Sequence, residues 1–89
     1  MEIKDSKILV IGGAGFIGSF VVTELLKHPV KEVVIYDNFA RGNKEYLQEQ
    51  LKDERCSVFP FGGDIRETDI LDTAIQGKDF VISLAAMWL

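Results

Sequence analysis

The stretch ILVIGGAGFIGS, residues 8–19, decides the fold of this 89-residue chain. Residues 8–11 are apolar and mostly β-branched, which is typical of a short strand that is buried on both faces of a parallel sheet. Glycines follow at positions 12, 15 and 18, and apolar residues then recur at helical spacing as far as His28. The stretch therefore predicts a strand, a glycine-rich turn and a helix over 16–28.

The rest of the chain repeats this alternation of strand and helix. Further strands are predicted over 33–36, 57–61 and 80–85, and further helices over 44–52 and 68–76. Thr68 is expected to cap the last helix and Gly77 to end it. The order β-α-β-α-β-α-β predicts an α/β fold with a doubly wound parallel sheet.

The apolar positions of each predicted helix indicate the side that faces the sheet. They are Ile17, Phe20, Val21 and Leu25 in the first helix, Tyr46, Leu47 and Leu51 in the second, and Ile70, Leu71, Ala74 and Ile75 in the third. Because residues 83–89 are an apolar run, we expect residues 1–89 to be the N-terminal part of a longer protein, with a compact mini-domain as the alternative. With an uncovered sheet edge and the apolar face around Trp88, we expect the isolated chain to self-associate or to be marginally folded.

The composition limits the functions that are open to the chain. Hydrophobic residues make up 47% and charged residues 27% of the sequence, as in globular proteins. Ten basic and fourteen acidic residues give a net charge of −4, which excludes a broad basic surface for nucleic acid or an anionic membrane. The single cysteine, Cys56, cannot form an internal disulfide, so a cytoplasmic location is the simplest expectation. The acidic residues between 45 and 54 fit a solvated helix face rather than a metal site.

The glycines at 12, 15 and 18 suit a phosphate-binding turn. Gly12 lets the chain leave the strand sharply, Gly15 lets the backbone approach a pyrophosphate, and Gly18 lets the helix pack closely on the strand. The free N–H groups and the dipole at the helix start would bind the phosphates without a basic patch. A tight turn without a ligand is the alternative. A Walker-type loop is excluded because Ser19 stands where that motif needs lysine.

An aspartate at the end of the second predicted strand strengthens the case for a dinucleotide. Asp37 lies nineteen positions after Gly18, and a carboxylate about 20 residues on is placed to accept hydrogen bonds from the adenosine ribose hydroxyls. It would repel a 2′-phosphate and so favour NAD over NADP, whereas the nearby Arg41 could receive that phosphate. An ordinary turn residue is the alternative for Asp37.

A second acidic position follows the third predicted strand, in the segment Gly63-Asp64-Ile65-Arg66. This position is at the carboxyl end of a strand, where ligands bind in open α/β sheets. Asp64 could meet the adenine amino group, with Ile65 beneath the ring. The alternative is an acidic residue at a helix start beside a solvated arginine.

Together these segments resemble the extended short-chain dehydrogenase/reductase family, and most of all its NAD-dependent sugar-nucleotide epimerases and dehydratases. The segments that carry the resemblance are 12–19, 36–42, 63–66 and 81–86. Two positions depart from the family pattern, since Ile11 stands where threonine is usual and Ser83 where histidine is common. The resemblance implies a Rossmann-type fold, incomplete in this chain, with NAD as the cofactor.

The resemblance also implies a role for each matched position. The pyrophosphate would be held by Gly12, Gly15, Phe16, Ile17 and Gly18. The adenosine ribose and its surroundings would be held by Asp37, Asn38, Arg41 and Gly42, and the adenine by Asp64 and Ile65. The segment that passes beneath the cofactor would be Leu84, Ala85 and Ala86. The family's catalytic Tyr-x-x-x-Lys pair has no match, because Ala40 follows Tyr36 by four positions and Gln50 follows Tyr46. We therefore expect an NAD-binding portion without catalytic residues, whose nucleotide-sugar substrate binds only in a full-length enzyme.

Two other functions stay open. The chain could be a stand-alone dinucleotide-binding module, which tight NAD binding by a chain that naturally stops at Leu89 would favour. It could also be an interaction protein that docks through its apolar C-terminal edge. Failure to bind any nucleotide, together with stable association with another protein, would favour that function.

Overall fold

Four strands and two α-helices form the regular structure of the computed structural model, which describes residues 3–12, 15–37, 44–60, 62 and 64–84. The strands are β1 (Lys7–Ile11), β2 (Glu32–Tyr36), β3 (Cys56–Val58) and β4 (Phe80–Ser83). The helices are α1 (Phe16–Leu26) and α2 (Thr68–Ile75), and two 3-10 turns cover Lys44–Leu47 and Gln50–Lys52.

The strands form one parallel sheet in the order β3-β2-β1-β4. Ile11 of β1 pairs with Tyr36 of β2 on one side and with Ser83 of β4 on the other, so the three strands end at the same edge. An order with the first strand inside the sheet is that of the nucleotide-binding half of a Rossmann fold. The predicted α/β fold with a Rossmann-type parallel sheet is confirmed.

Each face of the sheet carries its own apolar layer. On one face, Val22 of α1 packs with Ile8 and Val33 of the sheet. On the other face, Ala74 of α2 packs with Leu9 and Tyr36. Because successive residues of a strand point to opposite faces, the continuous apolar runs of β1 and β2 supply both layers. The sheet is therefore doubly wound, as the sequence predicted.

The face of α1 that meets the sheet agrees only in part with the predicted one. Leu25 packs against the core as expected and Val22 is fully buried, whereas Ile17 is 70% exposed and Phe20 is 64% exposed. Because α1 is apolar on nearly every side, spacing alone could not decide which side packs. The small residues Gly18 and Ser19 are buried as Val22 is, and small residues on the packed side of a helix suit close contact with a sheet.

The helix predicted over 44–52 is replaced by the two 3-10 turns. Of its three expected anchors only Leu47 is buried, while Tyr46 is 48% exposed and Leu51 is 37% exposed. A single anchor gives no continuous apolar face, so a longer α-helix would gain little from packing here. Gln50 instead binds the segment to α1, since its Nε2 donates to the Thr23 hydroxyl over 2.7 Å.

The last helix keeps its predicted place with two differences. Ala74 is buried as expected, but Ile75 is 37% exposed and lies outside the inward face. Thr68 is already the first helical residue, so the position before the helix belongs to Glu67, which makes no side-chain capping bond. Gly77 ends the helix with φ +76, the left-handed conformation that favours glycine.

An arginine that the sequence analysis did not single out stabilises the end of α1. Arg55 donates from Nη2 to the Leu26 carbonyl over 2.7 Å and from Nη1 to the His28 carbonyl over 2.8 Å. Its Nε and Nη2 also donate to the Asp53 carboxylate, and these bonds lower the pKa of Asp53 to about 2. Arg55 therefore supplies donors to carbonyls that a helix end leaves without intrahelical partners.

Cys56 is buried at the start of β3, and burial raises the pKa of its thiol to about 11. A thiol with a raised pKa is poorly reactive, so Cys56 is a packing residue. Across the described ranges, no three His, Cys, Asp or Glu residues are grouped to hold a metal ion. None of the helices in that part of the chain has the length and apolar character needed to cross a membrane.

Candidate functional site

The carboxyl ends of three strands bring three of the predicted site residues to one edge of the sheet. Gly12 follows β1, Asp37 follows β2 and Leu84 follows β4. Two backbone hydrogen bonds join these ends. The Gly12 N–H donates to the Tyr36 carbonyl over 2.9 Å, and the Leu84 N–H donates to the Ile11 carbonyl over 2.8 Å. Open α/β sheets bind their ligands in a crevice at this edge.

Gly12 and Gly15 shape the turn between β1 and α1. Gly12 has φ +83, a left-handed conformation that glycine adopts without steric cost. Gly15 is the N-cap residue of α1, with φ −79 and ψ 175. A Cβ added to Gly15 would meet no described atom within 4 Å. The described surroundings of the helix start therefore leave room for a ligand at Gly15.

The start of α1 suits an anion. Its first turn contains no acidic residue, and no side chain caps it at Gly15. The first backbone N–H groups of a helix have no intrahelical acceptor and carry the positive end of the helix dipole. Gly18, in the first turn of α1, is buried and has no side chain. A phosphate could be held here by backbone groups alone.

The structure describes only some of the other predicted site residues. Phe16 begins α1, and Ile17 follows with a side chain that is 70% exposed, whereas Asp37 is half-buried. The remaining positions lie outside the described residues, namely Asn38, Arg41, Gly42, Ala85 and Ala86, as does the side chain of Phe16. Their roles stay predictions from the sequence.

Asp64 lies on the segment between β3 and α2 and is engaged by Arg66. The Arg66 backbone N–H donates to Asp64 Oδ1 over 2.8 Å, and the Arg66 guanidinium donates to both carboxylate oxygens. These side-chain and backbone bonds lower the pKa of Asp64 to about 2, so the carboxylate is ionised at neutral pH. Ile65 is half-buried and packs against the apolar layer under α2.

Tyr36 connects this segment to the sheet edge, which the sequence analysis did not foresee. The Tyr36 hydroxyl donates to the Asp64 backbone carbonyl over 3.1 Å. Tyr36 directly precedes Asp37 and its carbonyl already accepts the Gly12 bond. Gly12, Asp37 and Asp64 are therefore joined through one residue. The sequence did contain a signal for this contact, because Tyr36 places a polar hydroxyl at the end of an otherwise apolar strand.

Comparison with known proteins finds that the chain is similar to part of several enzymes. A family model described as the 3-beta hydroxysteroid dehydrogenase/isomerase family matches residues 9–88. UDP-glucuronic acid decarboxylase 3 of Arabidopsis thaliana is 45% identical over 54 residues, which cover 61% of this chain and 16% of that protein. dTDP-glucose 4,6-dehydratase of an Actinoplanes species is 38% identical over 87 residues, which cover 90% of this chain and 27% of that protein.

A solved structure gives the same result at the level of the backbone. UDP-glucuronic acid 4-epimerase from Bacillus cereus, in complex with NAD, matches with a TM-score of 0.76 and 36% identity. The match covers 91% of this chain and 27% of that one. The chain thus spans between about a sixth and about a quarter of the length of these relatives. The resemblance to extended short-chain dehydrogenases/reductases and their nucleotide-sugar enzymes is confirmed.

Proposed function

This chain belongs to the 3-beta hydroxysteroid dehydrogenase/isomerase family, and we propose that it binds the adenosine diphosphate half of NAD. The observation that carries the proposal is the open N-cap of α1 at Gly15, on the same sheet edge as Asp37. A dinucleotide presents a pyrophosphate and a ribose diol to its protein. The N–H groups at the start of α1 would take the pyrophosphate, and the Asp37 carboxylate would take the ribose hydroxyls.

The adenine end of the site would be formed by Asp64 and Ile65. Three N–H hydrogens of Arg66, one each on its N, Nε and Nη2 atoms, reach the Asp64 carboxylate. Two carboxylate oxygens offer about four acceptor sites, so roughly one remains for the adenine amino group. Ile65 packs against the core and is half-exposed, which leaves part of its side chain for contact with the ring.

We propose that residues 1–89 are the NAD-binding, N-terminal portion of an NAD-dependent sugar-nucleotide epimerase or dehydratase. The substrate class follows the named relatives, which are enzymes of nucleotide sugars, rather than the steroid in the family's description. Bound NAD would supply a nicotinamide that accepts hydride. Because the sequence contains no Tyr-x-x-x-Lys pair, the acid–base residues and the sugar pocket would lie outside this chain. The chain alone would bind cofactor without turnover.

The partners and the location of the chain are proposed from its site, its net charge and its cysteine. The dinucleotide is the proposed partner of this chain, and a nucleotide sugar joins it only in the longer enzyme. A net charge of −4 gives no attraction to nucleic acid or to anionic membranes. We propose a cytoplasmic location, because a single buried cysteine needs no oxidising compartment.

Asp37→Ala is expected to weaken NAD⁺ binding about tenfold or more, because hydrogen bonds to a charged group are worth ~1.5–3 kcal/mol. Isothermal titration of the purified chain with NAD⁺ and with NADP⁺ measures this effect. Wild type should prefer NAD⁺, and Asp37→Ala should lose most of that preference because the repulsion of a 2′-phosphate is removed. Asp72→Ala, an exposed aspartate on α2, makes the same charge change and should bind NAD⁺ as wild type does.

Two outcomes of this titration would contradict the proposal. A preference of wild type for NADP⁺ would mean that Arg41 outweighs Asp37 and that the cofactor is wrongly assigned. No binding of either nucleotide, by a chain that circular dichroism shows to be folded, would mean that the site needs residues outside this chain or that the glycine segment is only a turn. Stable association with another protein, in addition, would favour the interaction-protein function.

We also propose that the isolated chain self-associates through β4. This strand is at the edge of the sheet; within it Val81 is 43% exposed, and directly after it Leu84 is 37% exposed. An exposed edge strand with apolar side chains pairs readily with another copy. Sedimentation velocity should show mass that rises with concentration, and Val81→Lys should shift the chain towards monomer. Thr73→Lys on the exposed side of α2 is the matched control, and a wild-type chain that is monomeric at every concentration would refute the proposal.

A further inference from the structure

Tyr36 is fully buried although it carries a polar hydroxyl. Its ring lies in the apolar layer with Leu9 and Ala74, and its centroid is 6.0 Å from that of Phe59. A buried phenol needs a hydrogen-bond partner, because an unpaired one loses its contact with water without compensation. The Asp64 carbonyl is that partner, at 3.1 Å.

The segment that follows β3 runs close over this hydroxyl. A Cβ built on Gly62 would lie 2.8 Å from the Tyr36 hydroxyl oxygen and 2.7 Å from Cγ2 of Ile70. Gly62 also has φ +64, in the left-handed region that favours glycine. The absence of a side chain at Gly62 is therefore what allows the chain to pass between Tyr36 and α2 and to bring Asp64 onto the hydroxyl.

Asp64 is held at its backbone and its side chain together. Its carbonyl accepts hydrogen bonds from the Tyr36 hydroxyl and from the Glu67 N–H, both over 3.1 Å. Its carboxylate accepts the Arg66 N–H over 2.8 Å. A carbonyl with two donors has both lone pairs in use, so its orientation is fixed. The position of the Asp64 carboxylate therefore depends on where Tyr36 holds the carbonyl.

We propose that Tyr36 is a positioning residue that sets the adenine contact of Asp64 relative to the ribose contact of Asp37. The inference rests on the proposed function, since it concerns the same dinucleotide site. Tyr36 is the last residue of β2, directly before Asp37, and its hydroxyl donates to the Asp64 carbonyl, so one buried residue links the positions of the two acidic groups. Tyr36 touches no ligand in this arrangement and acts through Asp64.

The test is Tyr36→Phe, titrated with NAD⁺ and with nicotinamide hypoxanthine dinucleotide. The second ligand carries a carbonyl oxygen in place of the adenine amino group, so it cannot donate to Asp64. Wild type should prefer NAD⁺, and Tyr36→Phe should reduce this preference roughly three- to tenfold, the value of one hydrogen bond. Tyr46→Phe removes the same atom from a tyrosine that is 48% exposed and should leave the preference unchanged.

A ligand-free measurement separates this inference from the proposed function. Hydrogen exchange of the Arg66 and Glu67 amides should be several-fold faster in Tyr36→Phe than in wild type and in Tyr46→Phe, because both amides bond to Asp64. If wild type binds neither dinucleotide, the proposed function fails, and the exchange rates still decide whether Tyr36 holds the segment. Unchanged exchange or an unchanged preference in Tyr36→Phe would overturn the inference. Loss of the folded state in that variant would also overturn it, since the hydroxyl would then support the whole sheet.

Discussion

Replacing Gly15 with valine should abolish the binding of NAD⁺ and leave the chain folded. The backbone of Gly15 is extended, with φ −79 and ψ 175, so a β-branched residue fits it without strain. The added side chain meets no described atom of the protein within 4 Å of its Cβ. It would occupy the space in front of α1 that the pyrophosphate needs. Displacing the pyrophosphate from two charge-assisted hydrogen bonds, at ~1.5–3 kcal/mol each, lowers affinity by at least about a hundredfold.

Titration calorimetry measures the loss of NAD⁺ binding, and urea unfolding of the same preparation measures whether the chain stays folded. The free energy of unfolding of Gly15→Val should stay within about 1 kcal/mol of wild type, because valine is a poorer N-cap residue than glycine but lowers the entropy of the unfolded chain. Gly77→Ala is a control in which stability, and not NAD⁺ binding, should change. Its Cβ also meets no described atom within 4 Å, but φ is +76, so it should lose stability and keep its affinity for NAD⁺. Binding by Gly15→Val at wild-type affinity would place the pyrophosphate elsewhere.

The parts of the fold that local pattern determines could be predicted from the sequence. The run of residues 8–11 and the glycines after it predicted a strand, a turn and a helix, and the structure confirms the strand β1 and the helix α1. The prediction failed where local pattern was ambiguous. In α1 several faces are apolar, and the side that packs is the one on which Gly18 and Val22 are buried. In the segment 44–52 one anchor, Leu47, was not enough to support a helix.

In the candidate site, too, local pattern predicted some features and could not predict others. The edge position of Asp37 follows from its place at the end of a predicted strand, and the structure puts it beside the turn after β1. Long-range side-chain bonds do not follow from any local pattern. The Tyr36 hydroxyl reaches Asp64 across 28 positions, and Arg55 reaches the Leu26 carbonyl across 29. Such bonds depend on how strands and helices are placed, which periodicity and spacing do not encode.

Gly62→Ala should destabilise the chain by about 2–5 kcal/mol, because two costs add at one site. A side chain in the left-handed region costs ~1–2 kcal/mol, and overpacking a filled space costs ~1–3 kcal/mol. The second cost arises because the new Cβ would lie 2.7 Å from Cγ2 of Ile70 and 2.8 Å from the Tyr36 hydroxyl. Urea unfolding followed by circular dichroism gives the free energy of unfolding.

Gly77→Ala separates these two costs. Gly77 shares the positive φ, at +76, but its Cβ would meet no described atom within 4 Å, so only the backbone cost applies there. The excess loss in Gly62→Ala over Gly77→Ala then measures the crowding against Tyr36 and Ile70. In the double variant Gly62→Ala/Tyr36→Phe the hydroxyl that the Cβ would strike is gone. The loss of stability in the double variant should therefore be smaller than the sum of the losses in Gly62→Ala and in Tyr36→Phe. Equal losses in Gly62→Ala and Gly77→Ala would mean that the segment after β3 can move away from Tyr36. The hydroxyl would then not determine where Asp64 lies.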